Sequence, residues 1–385
     1  MRFLHTADWH IGKTLFGRSR LDEQEQVIAE IVDIARLEHV DCVLLAGDVF
    51  ESLAPTGDAE RVVCDALAEF AGAGIATVVV GGNHDHSRRL AALRKLGNPL
   101  KIFIRPDPAP PADGGVISLQ KGGEIAQIAV LPWVPEFKIV DICQMMNPED
   151  TWYEAYSDNV AAMCRHLSTG FSEKTINILV GHLFAYGAET SGSERAVHVS
   201  QPYAVKPAQL PQAQYIALGH IHKPQEIGSS TRCFYSGSPL QLDFGEREQQ
   251  KRVVMVDVKA GFPANIESIV LVSGRRLREV ITTIDELPSV ASEAGTDFLR
   301  VIVKADARIS GLSQQVCEVL PNALEVRHEA PATSEPVSTD ALVSQSPREL
   351  FERFVRERRN TNAPPEMLTR FEELYNEAKD AADQA

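Results

Sequence analysis

The sequence contains no apolar run that approaches the roughly 18 residues needed to cross a membrane as a helix. The stretch from Met1 to His10 becomes polar too soon to be a secretory signal. The 6 cysteines are scattered singly, without the close pairs that mark zinc knuckles or redox motifs. These absences predict a soluble, cytoplasmic protein in a reducing compartment, with no membrane partner.

Positive charge is also in short supply, with 38 Lys and Arg residues against 53 Asp and Glu residues and a net charge of -15. A protein that coats nucleic acid draws its affinity from clustered basic groups that neutralise phosphates. The composition therefore argues against such a protein, and any contact with nucleic acid is expected to be local.

Several catalytic motifs are missing as well. The sequence has no nucleophilic Ser or Cys motif, no Gly-rich loop that cradles phosphates and no dinucleotide fingerprint. ATP hydrolysis by the chain itself is therefore not expected. The length of 385 residues and the hydrophobic content of 44% are nevertheless enough for one large domain with smaller appendages.

Short apolar runs, each about as long as a buried strand, recur along residues 1–275. Helical patterns separate the first of them, and this alternation is typical of α/β domains. Helices of similar length are missing between the last runs, so the second part is expected to be more antiparallel. We predict an α/β fold, with a layered, mixed β-sheet core flanked by helices, from runs at Arg2–His5, Val40–Ala46, Ile75–Val80, Ile125–Leu131, Ile176–Val180, Tyr215–Leu218, Cys233–Tyr235, Val253–Val258 and Ile266–Val272.

Three smaller segments follow this main domain. Residues 276–330 contain strand, helix and strand patterns, which predict a small αβ cap domain. Residues 331–345 are rich in Pro, Ser, Thr and Ala and are expected to be a linker. A helical tail is predicted for 346–385, beginning with a capping box of Ser346, Pro347 and Glu349. The apolar faces of its two helices dock either on the main domain or, as the linker favours, on a partner.

Five short motifs carry residues that could bind metal ions, and each follows a predicted strand. Ligands in open α/β sheets gather beyond the carboxyl ends of strands, so we expect these motifs to meet at one edge of one sheet. Two Asp, four His and one Asn suit a pair of cations about 3.5–4 Å apart, with Asp48 as the bridging carboxylate. The motifs are Asp8-Trp9-His10, Gly47-Asp48, Gly82-Asn83-His84-Asp85, Gly181-His182 and Gly219-His220-Ile221-His222.

Two residues of the third motif have a different expected role. His84 lies beside Asn83 without being needed as a ligand, which makes it a candidate acid for the leaving group or a stabiliser of the transition state. Asp85 is a candidate to orient the His84 ring. The remaining histidines do not follow strands in this way and are interpreted as structural: His5, His39, His86, His166, His198 and His328.

These motifs are similar to those of the calcineurin-like metallophosphoesterase superfamily, and longer strings resemble the SbcD branch of double-strand-break repair nucleases. The strings are Arg2 to Gly12, Ala46 to Phe50, Tyr215 to His222 and Tyr235 to Leu240. The resemblance implies two Mn²⁺ ions, although Mg²⁺, Fe²⁺ or Zn²⁺ could occupy the same cage. It assigns Asp8, His10, Asp48 and His222 to one ion, and Asp48, Asn83, His182 and His220 to the other.

The resemblance also implies a DNA exonuclease and endonuclease that hydrolyses double-stranded ends and hairpins with a metal-activated water. The chain would be a homodimer within a heterotetramer, associated with the nucleoid when on DNA. Its tail would bind an SbcC-type coiled-coil ATPase that supplies most of the DNA affinity, while the cap domain binds or positions DNA.

Three alternatives remain open at this point. The helix from Ser87 to Leu96 is a candidate dimer surface, with ordinary packing inside the chain as the alternative. A small-molecule phosphoesterase could use the same metals. A non-catalytic scaffold is disfavoured because the set of donors is complete.

Overall fold

The computed structural model describes residues 1–146, 156–195, 198–199, 203–228, 231–305, 309–329, 348–349, 351–352, 355 and 363–382. All seven predicted metal ligands fall within these ranges. The predicted linker at 331–345 and the predicted capping residues Ser346 and Pro347 lie outside the described residues.

The strands and helices confirm the α/β fold class. The strands are β1 (Arg2–Thr6), β2 (Thr14–Leu15), β3 (Arg18–Ser19), β4 (Cys42–Leu45), β5 (Ala76–Val80), β6 (Ile102–Arg105), β7 (Val116–Lys121), β8 (Glu124–Leu131), β9 (Ile176–His182), β10 (Tyr215–Gly219), β11 (Gln225–Ile227), β12 (Cys233–Tyr235), β13 (Arg252–Asp257), β14 (Asn265–Val270), β15 (Leu277–Thr282), β16 (Phe298–Lys304) and β17 (Ala323–Glu329). The helices are α1 (Leu21–Leu37), α2 (Gly57–Gly72), α3 (Ser87–Gly97), α4 (Ile139–Met146), α5 (Tyr156–Leu167), α6 (Leu287–Ala294), α7 (Leu312–Val319) and α8 (Pro365–Ala382).

The main domain contains two six-stranded sheets, in the orders β14-β13-β1-β4-β5-β6 and β11-β12-β10-β9-β8-β7. The expectation that all five motifs follow strands of one sheet is therefore wrong. Motifs one to three follow β1, β4 and β5 of the first sheet, whereas the last two follow β9 and β10 of the second. The expectation that the second part is more antiparallel is only partly right. In the second sheet, the pairs β8–β9, β9–β10 and β10–β12 are all parallel.

The two sheets pack against each other through alternate residues of their strands. Phe3 and Leu44 of the first sheet share a buried cluster with Ile178 of the second. Their neighbours Leu4 and Val43 face the opposite way, toward α1 and α2. Because side chains alternate along a strand, each central strand is buried on both faces, which explains why these runs are apolar throughout. The carboxyl ends of β1, β4, β9 and β10 consequently come together where the two sheets meet.

Helix α3 packs within the main domain. Leu90 is 2% exposed and belongs to the core cluster that includes α1 and α2, and Leu93 packs against the same cluster. Leu90 and Leu93 therefore pack inside the chain, as the alternative interpretation expected, and a dimer surface on the rest of the helix stays a prediction.

The strands β15, β16 and β17 form a separate three-stranded sheet that carries α6 and α7. Leu299, Val301 and Val316 are fully buried in its own small core. A second cluster joins this sheet to the main domain through Leu277, Phe298, Leu15 and Phe244. Residues Met1–Val303 and Ser310–Arg327 accordingly form one compact unit.

The other compact unit comprises Lys304–Ile309 and His328–Ala385. Within it, Phe351 stacks on Phe371 of α8 with ring centroids 4.2 Å apart, and Val355, Ala363 and Leu368 form a small buried cluster. None of the described helices is both long and apolar enough to cross a membrane.

Candidate metal centre

The loop after β1 runs beside the loop after β4 and is bound to it by backbone hydrogen bonds. The N–H groups of Asp8 and His10 donate to the carbonyls of Gly47 and Asp48, each at 3.0 Å. This pairing continues the parallel contact between the two strands beyond their ends. It holds the side chains of the first two motifs in one place.

Four of the predicted ligands have a backbone conformation that is uncommon for residues other than glycine. The φ angles are 53° at Asp8, 46° at His10, 49° at Asp48 and 102° at His220. Such conformations cost free energy and persist where the surrounding structure enforces them, and they concentrate at functional sites. The chain is therefore strained at the positions where the motifs turn their side chains inward.

Two glycines allow these loops to approach each other closely. A Cβ atom on Gly47, whose φ is +96°, would lie 2.1 Å from Nδ1 of His182. A Cβ atom on Gly82 would lie 2.1 Å from Oδ1 of Asp48. Neither position has room for a side chain, so glycine is required for the motifs to converge.

All seven predicted ligands converge on one centre. Oδ2 of Asp48 lies 3.5 Å from Nε2 of His10 and 3.5 Å from Nε2 of His182, so Asp48 stands between two groups of side chains. Oδ1 of Asn83 lies 2.9 Å from Nε2 of His182 and 3.0 Å from Nδ1 of His220. Among the described residues, three groups have donor atoms close enough to hold a cation: Asp8, His10 and His222; His10, Asp48 and His84; and Asp48, His182 and His220.

The histidines are oriented so that one ring nitrogen faces the centre and the other meets an acceptor. Nδ1 of His182 donates to the carbonyl of Ala46 at 2.8 Å, and Nδ1 of His10 lies 2.8 Å from Oε2 of Glu51. Nε2 of His220 lies 3.4 Å from the carbonyl of His198. With the outer nitrogen as the hydrogen-bond donor, the neutral ring presents the lone pair of its inner nitrogen, as a metal ligand requires.

The inner nitrogens lie close together, as they would around a cation. Nε2 of His10 and Nε2 of His222 are 3.1 Å apart, and both rings have an acceptor at Nδ1. Two lone pairs at this distance repel each other unless a positive charge lies between them. The donor set therefore fits divalent cations.

The centre is almost closed to solvent, and its ionisable groups are shifted accordingly. Burial raises the pKa of Asp8. Burial also acts to raise the pKa of Asp48, but the His182, His10 and His84 rings outweigh it and hold that pKa well below its usual range. Burial keeps the pKa of His220 well below its usual value, so the ring is neutral at neutral pH.

His84 lies at the rim of the centre, but Asp85 does not contact its ring. Among the described residues, the hydrogen-bond partner of the His84 ring within 3.0 Å is the carbonyl of Glu51, at 2.8 Å from Nδ1. The Asp85 carboxylate instead accepts the N–H groups of Val49, Phe50 and Gly82 at 2.9–3.1 Å. Asp85 therefore does not orient the ring as expected. Its carboxylate instead connects the loops of the second and third motifs through hydrogen bonds.

Sequence reasoning missed several residues that surround the ligands. His198, interpreted as structural, lies with Nδ1 3.3 Å from Nδ2 of Asn83 and contacts Trp133, so it belongs to the edge of the centre. Glu51 follows the second motif by three positions and could have been found there. Ser193 and Glu246, which contact Nδ1 of His222, lie outside the five motifs, and nothing in the sequence around them indicates that they belong to the centre. His5 is structural as expected, with its ring between Tyr215 and the carbonyl of Leu218.

A cavity of about 930 Å³ lies beside the centre. It is bordered on one side by Asn83 and Asp85 and on the other by aromatic side chains, including Trp133, His198 and Tyr203. The Trp133 ring packs against the His220 ring, with centroids 5.1 Å apart. A substrate therefore has open space next to the ligands.

Comparisons with known proteins agree with this geometry. Residues 1–224 match the model of the calcineurin-like phosphoesterase family, and residues 268–359 match a model described as the type 5 capsule protein repressor C-terminal domain. The chain is 34% identical over 280 residues to the SbcD subunit of the nuclease SbcCD from Bacillus subtilis (strain 168), an alignment that covers 72% of this chain and 71% of that protein. It is 34% identical over 275 residues to the corresponding SbcCD nuclease subunit of Rhodobacter capsulatus, covering 68% of this chain and 67% of that protein.

Proposed function

The chain belongs to the calcineurin-like phosphoesterase family, within the group of SbcD nuclease subunits, and from this premise we propose that it hydrolyses phosphodiester bonds of DNA with two Mn²⁺ ions. The observation that carries the proposal is the position of Asp48 between two groups of imidazoles, 3.5 Å from one ring of each. A carboxylate in that position can coordinate two cations at once.

The donors divide into two cation sites. The first site consists of Asp8, His10, Asp48 and His222, and the second of Asp48, Asn83, His182 and His220. Mixed oxygen and imidazole donors suit Mn²⁺ better than Mg²⁺, which favours oxygen and water. When bound, the two cations supply Lewis-acid activation of a water molecule and neutralise charge on the phosphate. The chain's contribution to that chemistry is the set of Asp, Asn and His ligands.

Residues around the ligands orient the reacting groups. The carbonyl of Glu51 fixes Nδ1 of His84, which leaves Nε2 of that ring to approach the leaving oxygen of the substrate. Nη2 of Arg195 lies 3.5 Å from the same ring and adds positive charge where a phosphate would arrive. Asp85 has a positioning role, because it ties the loops that carry Asp48 and Asn83 to each other.

The proposed partners are double-stranded DNA ends and hairpins and an SbcC-type coiled-coil ATPase, in a heterotetramer that contains two copies of this chain. Support for the ATPase comes from α8, where Leu374 and Tyr375 are 49% and 45% exposed. Apolar side chains that remain this exposed can bind a partner. The three-stranded sheet of β15, β16 and β17 would serve as the cap domain that positions DNA.

The proposal is tested by digestion of end-labelled duplex and hairpin DNA by the purified protein, with Mn²⁺ and without it, alone and with its ATPase partner. We expect Mn²⁺-dependent cleavage that the Asp48→Asn variant lacks. A chromogenic small phosphodiester is assayed in parallel. Hydrolysis of the small diester with no cleavage of either DNA, even with the partner, would contradict the nuclease assignment and favour a small-molecule phosphoesterase.

A further inference from the structure

A row of polar side chains, in which Glu246 and Lys251 are buried and Ser193 is partly buried, lies behind His222, outside the ligand set. Oγ of Ser193 lies 2.7 Å from Nδ1 of His222, and Oε1 of Glu246 lies 3.2 Å from the same nitrogen. Nζ of Lys251 lies 2.6 Å from Oε2 of Glu246, where the two side chains are 6% and 0% exposed. An ion pair this deep contributes little net stability, because both charges must leave water. Stability alone therefore does not account for it.

The chemistry of these groups fixes the direction of each hydrogen bond. Glu246 is ionised beside Lys251 and can only accept, so the Ser193 hydroxyl donates its proton to Oε1 of Glu246. Oγ of Ser193 must then accept from Nδ1 of His222. In the neutral ring the proton is therefore on Nδ1, which leaves the lone pair of Nε2 available to a cation.

The same residues also hold the backbone of His222. Nζ of Lys251 donates to the carbonyl of His222 at 2.9 Å, and Oε1 of Glu194 accepts the N–H group of His222 at 3.1 Å. Among the described residues, the outer nitrogens of His10 and His182 each have one acceptor within hydrogen-bond distance. His222 is thus fixed at both the ring and the main chain by groups that lie on distant segments.

We propose that Ser193 and Glu246 are positioning residues that hold His222 in its metal-binding tautomer, with Lys251 as the counter-ion of Glu246, and that they thereby set the affinity of the first cation site. The proposal rests on the proposed function, because a first site exists only if the centre binds two cations. Asp48, which both sites share, does not contact this row, so the second site is expected to be independent of it.

Two double variants separate the hydrogen bond from the ion pair. Glu246→Gln with Lys251→Met and Glu246→Leu with Lys251→Met both remove the buried charges, but only the glutamine retains an oxygen that can accept the Ser193 proton. Mn²⁺ titration of the full-length protein, followed by electron paramagnetic resonance, counts bound ions without any turnover. We expect the glutamine variant to bind two ions almost as the wild type does. The leucine variant should lose about 10–100-fold in affinity for one ion and retain the other.

A pair of single variants provides the matched control. Ser193→Ala removes the hydroxyl that accepts the hydrogen bond from Nδ1 of His222, and it should weaken the binding of the same single ion. Ser168→Ala removes a buried hydroxyl that donates to the carbonyl of Cys164 at 2.8 Å, and should leave both ions unchanged.

The outcomes distinguish this inference from the proposed function. Unchanged binding of both ions by the leucine variant would overturn the inference. An equal loss of both ions in the two double variants would also overturn it, because the acceptor oxygen that distinguishes the two variants would then make no difference to binding. Failure of the wild-type protein to bind two Mn²⁺ ions would instead overturn the proposed function.

Discussion

The Asp48 carboxylate uses its two oxygens differently. Oδ1 accepts the N–H group of His84 at 2.8 Å, and Oδ2 faces the imidazoles of His10 and His182. The hydrogen bond to the third motif loop fixes the carboxylate plane. The second oxygen is consequently presented to the centre without freedom to rotate away.

His84 should affect catalysis without affecting metal content. Because its ring is held by the carbonyl of Glu51 and is not required by either cation site, we expect His84→Ala to bind two Mn²⁺ ions but to cleave DNA about 10²–10⁴-fold more slowly. Metal content by mass spectrometry and single-turnover cleavage measure the two properties. Asn83→Ala serves as the contrast and should lose an ion; wild-type cleavage by His84→Ala would remove the proposed role.

His5 should make the fold sensitive to acid. Burial lowers the pKa of His5 from 6.5 to about 3, so between pH 6.5 and 3 His5 is protonated in the unfolded chain but neutral in the folded chain. His5 therefore does not affect the free energy of unfolding above pH 6.5, and it lowers that free energy as the pH falls from 6.5 toward 3. By linkage, the cost at about pH 5 is about 2 kcal/mol.

The measurement is urea unfolding with chelator present, at about pH 7 and about pH 5. His5→Gln can keep hydrogen bonds to Tyr215 and to the carbonyl of Leu218 but does not titrate. We expect the variant to lose about 2 kcal/mol less stability than the wild type between the two pH values. Equal losses would show that His5 is not the group responsible.

The ligands themselves could be predicted from the sequence, whereas the residues that orient them could not. Each ligand motif directly follows an apolar strand, and this local signal survives without any structure. Ser193 and Glu246 act on His222 from positions 29 and 24 residues away, on loops whose paths depend on the packed domain. Their role depends on hydrogen-bond geometry, which has no periodic trace in a sequence.

At the scale of elements, the sequence predicts the positions of the strands well but not their assignment to sheets. An apolar run indicates that a strand is buried on both faces, but it does not say which neighbours cover those faces. Phe3 and Leu44 could equally have faced a helix layer; the packing of β9 and β10 opposite them decides the matter. The second sheet therefore has no signature of its own along the chain.

The exposed apolar side chains of α8 predict a partner-binding surface. We expect Leu374→Glu and Tyr375→Glu to abolish binding of the ATPase partner, because each places a charge within an apolar contact. Hydrolysis of a small phosphodiester should be unchanged. Thr369→Glu adds the same charge on the opposite side of the helix and is the control. Pull-down with the purified ATPase measures the effect, and undiminished binding by both glutamate variants would rule out this surface.

For the whole molecule, the excess of acidic residues predicts weak DNA binding by the isolated subunit. With a net charge of -15, the chain can neutralise few phosphates, so its affinity should depend only weakly on salt. The complex with the ATPase should bind more tightly and show a steeper salt dependence. Fluorescence anisotropy over a series of salt concentrations gives both slopes; equal slopes would mean that the partner adds no phosphate contacts.

The two-sheet origin of the centre also affects how the enzyme is made. The ligands from β1 precede those from β10 by more than half of the main domain, so a chain still emerging from the ribosome lacks His220 and His222. A fragment that ends before β10 therefore lacks one ligand of the first proposed cation site and one of the second. Neither site can be complete until synthesis has passed strands of both sheets.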